Sequence, residues 1–216
     1  MESVQVTARL TLRQFTQEDA DNLLALDGDP RVMRFLDPTT KSRAQIRAQV
    51  LPRFLAYDRR YGGFGFWAAH ARGDGGFIGW FGLRPVTPTA AAMVDWPDAP
   101  PGDIAVASLG YRLRVSAWGR GYATEGAQAL IQRAFSELGV SQVVATTMAV
   151  NSASRRVLEK AGLRYVRTVH LDWPDPLPGN EHGDVETGWT ATTGQRSEMS
   201  GTLTFREATA VRLTDR

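Results

Sequence analysis

The segment Trp118-Gly119-Arg120-Gly121-Tyr122-Ala123-Thr124-Glu125 constrains this chain more than any other. It follows an apolar stretch, Ile104 to Val115, that reads as a central strand containing Gly110. It precedes Ala127, Leu130, Ile131, Ala134, Phe135 and Leu138, whose spacing makes one buried helical stripe. A strand that feeds a helix through two glycines presents backbone N–H groups at the positive helix end, which suits phosphate or pyrophosphate. Glycine lets the backbone approach such a ligand closely, and the small Ala123 keeps the approach open. Two familiar phosphate loops do not fit. A Walker A loop ends in Gly-Lys-Ser or Gly-Lys-Thr, which this chain lacks, and a dinucleotide fingerprint needs Gly or Ala where Thr124 stands.

The surrounding chain alternates strands and helices. Ala8 to Phe15 reads as a first strand, with Leu10 and Leu12 on one face. Thr16 with Asp19 makes a capping box for a short helix through Leu23, Leu24 and Leu26. Ser42 with Gln45 caps a second helix through Ile46, Val50, Phe54 and Tyr57, which Pro52 should kink or break. Phe64 to His70 and Phe77 to Leu83 form a hairpin about Arg72-Gly73-Asp74-Gly75-Gly76. Residues from Arg84 to Asp103 read as a long surface loop, either functional or a plain insertion. After the glycine loop and its helix, Gln142 to Met148 is a buried strand, Asn151 to Ala161 a helix stopped by Gly162, and Leu163 to Val169 a further strand. Val185 to Thr192 alternates and supplies a closing strand, whereas no role attaches to the Thr-rich stretch from Gln195 onward.

The phrase Trp-Gly-Arg-Gly-Tyr-Ala-Thr-Glu resembles the acetyl-CoA loop of the GNAT superfamily, in particular the branch of ribosomal-protein N-terminal acetyltransferases. Asn151-Ser152-Ala153-Ser154-Arg155-Arg156-Val157-Leu158-Glu159-Lys160-Ala161-Gly162-Leu163 is similar to that branch's second signature. The resemblance runs over about residues 7–186. It implies an α/β (α+β) GNAT fold, a mixed central sheet of about six to seven strands flanked by helices. Residues 1–186 would be the acetyltransferase domain, and 187–216 the closing strand with a C-terminal tail.

The same resemblance implies roles for individual residues. The pantetheine arm of acetyl-CoA would pair with the backbone around Leu113, Arg114 and Val115. Its pyrophosphate would sit on the amides of Gly119, Arg120, Gly121, Tyr122, Ala123 and Thr124, beside Trp118. Asn151 would hydrogen-bond near the reacting end, and Ser154 would protonate the departing thiolate. Arg155 or Arg156 would reach the adenosine phosphates. A plainer reading stands beside each role: Asn151 and Ser154 are also good helix caps, and the arginines suit a solvated helix face.

The implied reaction is direct attack of a primary amine on the thioester, in a ternary complex without a covalent enzyme intermediate. The chain has no cysteine, which agrees with that and removes disulfides and thiolate metal sites. The amine must first lose a proton, which at neutral pH costs roughly 1.4 kcal/mol for an α-amine and roughly 4.6 kcal/mol for a lysine. Many relatives carry an acidic residue two positions before the Gly-Tyr that matches Gly110-Tyr111, but this chain has Ser108. Asp103, another residue of the long loop, or a water chain would then have to serve as base. The acceptor would be a peptide or protein N-terminus or a small amine, an antibiotic included. A non-catalytic acyl-CoA sensor is the alternative that Ser108 favours, and a plain interaction domain would leave the paired motifs unexplained.

Other features exclude or suggest partners. A net charge of +2 with dispersed Lys and Arg gives no nucleic-acid footprint. Neither a signal peptide nor an apolar membrane span is evident, so a cytoplasmic monomer or homodimer is expected. His70, His170 and His182 lack metal-ligand spacing, so no metal is expected. Trp67, Trp80, Trp96 and Trp173 would line an acceptor cleft, and Asp95, Asp98, Asp103, Asp172 and Asp175 would attract a cationic acceptor.

Overall fold

The computed structural model describes residues 3–36, 41–87, 98–102 and 104–190. Their centre is one eight-stranded mixed sheet in the order β1-β2-β3-β4-β5-β6-β8-β7. Its strands are β1 (Ser3–Val6), β2 (Leu10–Gln14), β3 (Gly65–Ala71), β4 (Phe77–Pro85), β5 (Val106–Leu113), β6 (Gln142–Met148), β7 (Arg164–Val169) and β8 (Asp184–Thr190). All neighbours are antiparallel except β5 and β6. That parallel pair needs a crossover, and the glycine loop with its helix provides it.

The helices are α1 (Ala20–Asp27), α2 (Pro30–Met33), α3 (Arg43–Gln45), α4 (Leu51–Tyr61), α5 (Tyr122–Ser136) and α6 (Ser152–Lys160). Both capping boxes form, Thr16 with Asp19 and Ser42 with Gln45. Pro52 stands in the first turn of α4, where the helix is interrupted. A π turn over Ile46–Val50 precedes it, in which the Leu51 N–H reaches back to the Ile46 carbonyl. The widened turn absorbs the hydrogen bond that proline cannot donate.

Alternation along the strands divides the core. Ala107, Leu109 and Leu113 of β5 and Val143 and Ala145 of β6 face α5 and α6, in one cluster with Trp67, Phe81, Leu130 and Leu158. The opposite face packs Leu23, Leu26, Ile46 and Leu51 against Ala68, with Phe54, Phe66 and Trp80 beside them. Phe54 and Phe66 stack at 4.0 Å. The helix α5 lies close on the sheet because Gly126 meets Phe81, where an added Cβ would come within 2.2 Å of the ring. Even an alanine there would overpack the contact, at a cost of about 1–3 kcal/mol.

The glycine loop is also fastened to the other end of the chain. Glu125 accepts from the Thr7 hydroxyl at 2.6 Å, the Arg9 N–H at 2.8 Å and the Arg9 Nε at 2.7 Å. Arg9 Nη1 then donates to the Arg120 carbonyl at 2.8 Å. Burial alone would push the Glu125 carboxyl up, but the hydrogen bonds from Thr7 and Arg9 outweigh it and hold the group below the usual glutamate range. Glu125 therefore anchors the start of β2 against the first turn of α5, and the loop's position follows.

Candidate active site

Register data locate a gap in the sheet. Val106, Ala107 and Ser108 pair with Gln142, Val143 and Val144, and there the β5–β6 register ends. The strand β5 continues to Leu113, bonded to β4, and β6 continues to Met148, bonded to β8. The two parallel strands thus separate beyond Ser108 and Val144, leaving a slot that leads to the glycine loop. An extended chain with amide groups fits such a slot, because a strand edge offers N–H and C=O groups in a row.

At the end of the slot the loop has the shape expected for an anion cradle. Gly119 and Gly121 adopt φ of +70° and +80°, a left-handed region that favours glycine. A Cβ on Gly119 would meet nothing within 4 Å, so the backbone faces open space. Gly121 is the N-cap of α5 and uses no side chain to satisfy the first turn. The first intrahelical bond is that of the Glu125 N–H to the Gly121 carbonyl. The N–H groups just before it are consequently presented to a ligand. Arg9 and Arg120 both lie over the Tyr122 ring, at 5.0 and 5.1 Å, and add positive charge at the mouth. Pyrophosphate fits this donor set.

Backbone groups around Leu113, Arg114 and Val115 are partly engaged. The Leu113 carbonyl accepts from the Trp118 indole at 2.9 Å, and the Arg114 N–H donates to Ile78. A short 3-10 turn over Val115–Ala117 uses the Arg114 carbonyl. The stretch of β5 that faces the slot is Leu109 to Leu113, slightly earlier than the sequence implied.

Across the slot, the Tyr111 hydroxyl lies 2.9 Å from Ser154 Oγ. Burial pushes the Tyr111 phenol up to about 12, with the Ser154 contact working weakly the other way. The pair therefore holds its protons at neutral pH. Sequence reasoning had singled out Ser154 but not Tyr111, since a contact between a strand and a helix 43 residues later has no local signal. Asn151 caps α6, its Oδ1 accepting from the Ser154 N–H at 3.1 Å, which leaves its amide NH2 as the group able to reach a ligand. Arg155 turns back onto the Ala149 carbonyl at 3.3 Å, whereas Arg156 is exposed.

The face opposite α5 carries Trp80, Gly82 and Arg84 of β4 across from Arg112, Gly110 and Ser108 of β5. Asp98 bridges to Val86 and pairs with Arg84 at 3.3 Å, so this acid of the long loop stands on the Ser108 face. Arg112 sits over Trp80 and pairs with Asp27. Trp173 is partly exposed on the loop after β7, but Trp67 belongs to the core on the α5 side and lines no acceptor cleft. Trp96, Asp95 and Asp103 lie outside the described residues, as do the tail positions from Ala191 onward. His70 bonds the Gly75 carbonyl through Nδ1 at 2.9 Å, a structural role. Among the described residues no cluster of metal-ligating side chains occurs, and no helix is long and apolar enough to cross a membrane.

Comparison with known proteins agrees with this geometry. Residues 9–164 match the family model described as an acetyltransferase (GNAT) domain. The chain is 36% identical over 182 residues to the FsC-acetyl coenzyme A-N(2)-transacetylase of Aspergillus fumigatus, covering 83% of this chain and 72% of that protein. Among solved structures it resembles RimL, a ribosomal α-N-protein acetyltransferase in complex with coenzyme A, with a TM-score of 0.69 at 19% identity over 88% of this chain and 98% of that one. It resembles an aminoglycoside acetyltransferase in complex with coenzyme A nearly as well, with a TM-score of 0.63 at 21% identity over 88% of this chain and 97% of that one. The likeness therefore spans several branches and is not confined to the ribosomal one. Strand order, glycine loop and family match agree: the chain belongs to the GNAT family of acetyltransferases.

Proposed function

We propose that the enzyme transfers an acetyl group from acetyl-CoA to a primary amine by direct attack in a ternary complex. The observation that carries this reading is the separation of β5 from β6 beyond Ser108 and Val144, leading into the open amides of the glycine loop. Residues 119–124 would hold the pyrophosphate, with Trp118 beside them and Arg156 available to the adenosine phosphates. The edge of β5 up to Leu113, with Arg114 and Val115 beyond, would align the pantetheine arm. Bound there, acetyl-CoA supplies the activated acyl group.

The chain's own residues orient the reactants and manage protons. Positioning an amine beside a thioester removes much of the entropic barrier, worth up to roughly 7–11 kcal/mol in well-aligned cases. Tyr111 and Ser154 would return a proton to the departing thiolate. The Asn151 amide would hold the donor near its reacting end. The 36% identical relative is named for acetyl transfer to an N(2) position, which favours a small-molecule amine over a protein N-terminus. The ribosomal-protein resemblance of the Trp118–Glu125 phrase keeps a peptide α-amine as the competing acceptor, and aminoglycoside amines belong to the same class.

Ser108 gives a second reading its support, that of an acyl-CoA sensor without turnover. Thiol release from acetyl-CoA on a panel of small α-amines, peptide N-termini, aminoglycosides and lysine side chains separates the two. Turnover on an α-amine or other small amine is expected, with lysine slower. Acetyl-CoA binding with no turnover on any amine would establish the sensor instead.

A further inference from the structure

The strand β8 enters the sheet between β6 and β7, and its first residue is an acid. Asp184 lies opposite Met148 of β6 and opposite Val169 of β7. Residues directly opposite in an antiparallel pair share a face. On β6 that face carries Val144, which packs with Val86 and Val106, so it is the Ser108 face. Asp184 therefore stands on the Ser108 face of the sheet, across β6 from the slot and beside the end of β6 that borders it. Neighbouring strands are about 4.8 Å apart and β6 lies between Asp184 and the slot, so a short chain of waters, and not a single one, would have to join its carboxylate to an amine above the slot.

Its surroundings are unusual for a structural carboxylate. Asp184 is 5% exposed, and its Oδ2 has no hydrogen-bond partner. Burial pushes its carboxyl above the usual aspartate range, while the Trp173 indole acts in the opposite direction. The neighbouring carboxylate on the same face, Glu186, is already matched by Arg167 at 2.7 Å. Other titratable groups on the covering elements are His170, which would touch a Cβ on Gly183, the exposed Asp172 and Asp175 of the loop after β7, and the exposed Glu181–His182 pair at 3.5 Å. Arg155 of α6 is held on the Ala149 carbonyl. The loop after β7 closes over this end of β6, with Gly179 against Val150 and Met148 and the Ala149 N–H bonded to the Gly183 carbonyl. A buried carboxylate with an unused oxygen costs stability, and such groups are kept where they work.

We propose that Asp184 is the general base of this acetyltransferase, taking over through a short chain of waters the task that Ser108 cannot perform. This inference rests on the acetyl-transfer reading above. An ammonium acceptor gives one proton through these waters to the carboxylate, which becomes a carboxylic acid. The neutral amine forms the new N–C bond as the C–S bond breaks. The thiolate takes a proton from the Tyr111–Ser154 pair, the nascent amide nitrogen releases its second proton, and the pair is reprotonated. One amide, one thiol and one net proton result.

The test uses Asp184→Asn with the amine that the panel shows to be acetylated. Its kcat is expected to fall by about 10²–10³, and the acidic limb of the wild-type pH profile should vanish. Calorimetry should give an unchanged acetyl-CoA affinity, because β6 separates the residue from the slot. The melting temperature at neutral pH should not fall, since the substitution removes a buried charge whose raised folded-state pKa costs stability at high pH. Trp173→Phe is the second variant. Without the indole, the acidic limb should move to higher pH. Retained kcat with an unmoved limb in either variant overturns the assignment, as does a variant that loses stability and acetyl-CoA binding together. If the wild type turns over no amine, the transfer reading and this base fall together, whereas an active wild type with an indifferent Asp184 overturns the base alone.

Discussion

Tyr111→Phe is expected to lower kcat by about 10²-fold while leaving acetyl-CoA affinity within about threefold, because a general acid acts in the transition state and not in binding. The phenol is 2.9 Å from Ser154 Oγ and burial pushes it up to about 12, so it is a filled proton donor throughout the neutral range. Ser154→Ala should produce a loss of similar size. The double variant should lose little more than either single one, since the two hydroxyls form one relay. Loss of one hydrogen bond costs the fold only about 1 kcal/mol, which separates a catalytic defect from a structural one. Initial-rate kinetics with a parallel melting curve checks this. Full kcat in both variants would remove the pair from the mechanism.

Gly121→Val should have its effect on the donor instead. The residue sits at φ +80° as the N-cap of α5. A β-branched side chain there costs about 1–3 kcal/mol of backbone strain, and relief of that strain rotates the amides out of the cradle. Loss of one or two charge-assisted hydrogen bonds, at roughly 1.5–3 kcal/mol each, lowers acetyl-CoA affinity by about 10²-fold or more. Calorimetric titration measures it. An affinity equal to the wild type's would place the pyrophosphate elsewhere.

These effects fall on residues of differing legibility. The loop and both capping boxes were readable because their signals are local: two glycines between a strand and a stripe, and Ser or Thr three residues before Gln or Asp. Asn151 was readable as a cap for the same reason, and it is one. The strand β1 escaped notice because four residues at a sheet edge carry too little pattern. Pro52 announced a disruption, but whether the helix breaks or widens depends on how Ile46 and Leu51 pack. Tyr111 and Asp184 were beyond local reading. One acquires its partner across the slot, and the other is buried only because β8 inserts between β6 and β7 under a folded loop. Asp98 was recognisable as a loop acid, while its place on the Ser108 face comes from the bridge to Val86.

The proposed donor site lies between the glycine loop and the β5 edge. Amide-resolved hydrogen exchange, with and without acetyl-CoA, reads that claim directly. Slower exchange is expected at Gly119 to Thr124 and along Leu109 to Leu113, with β1 to β3 unchanged. Protection confined to other segments, or none at these amides at saturating acetyl-CoA, would contradict it.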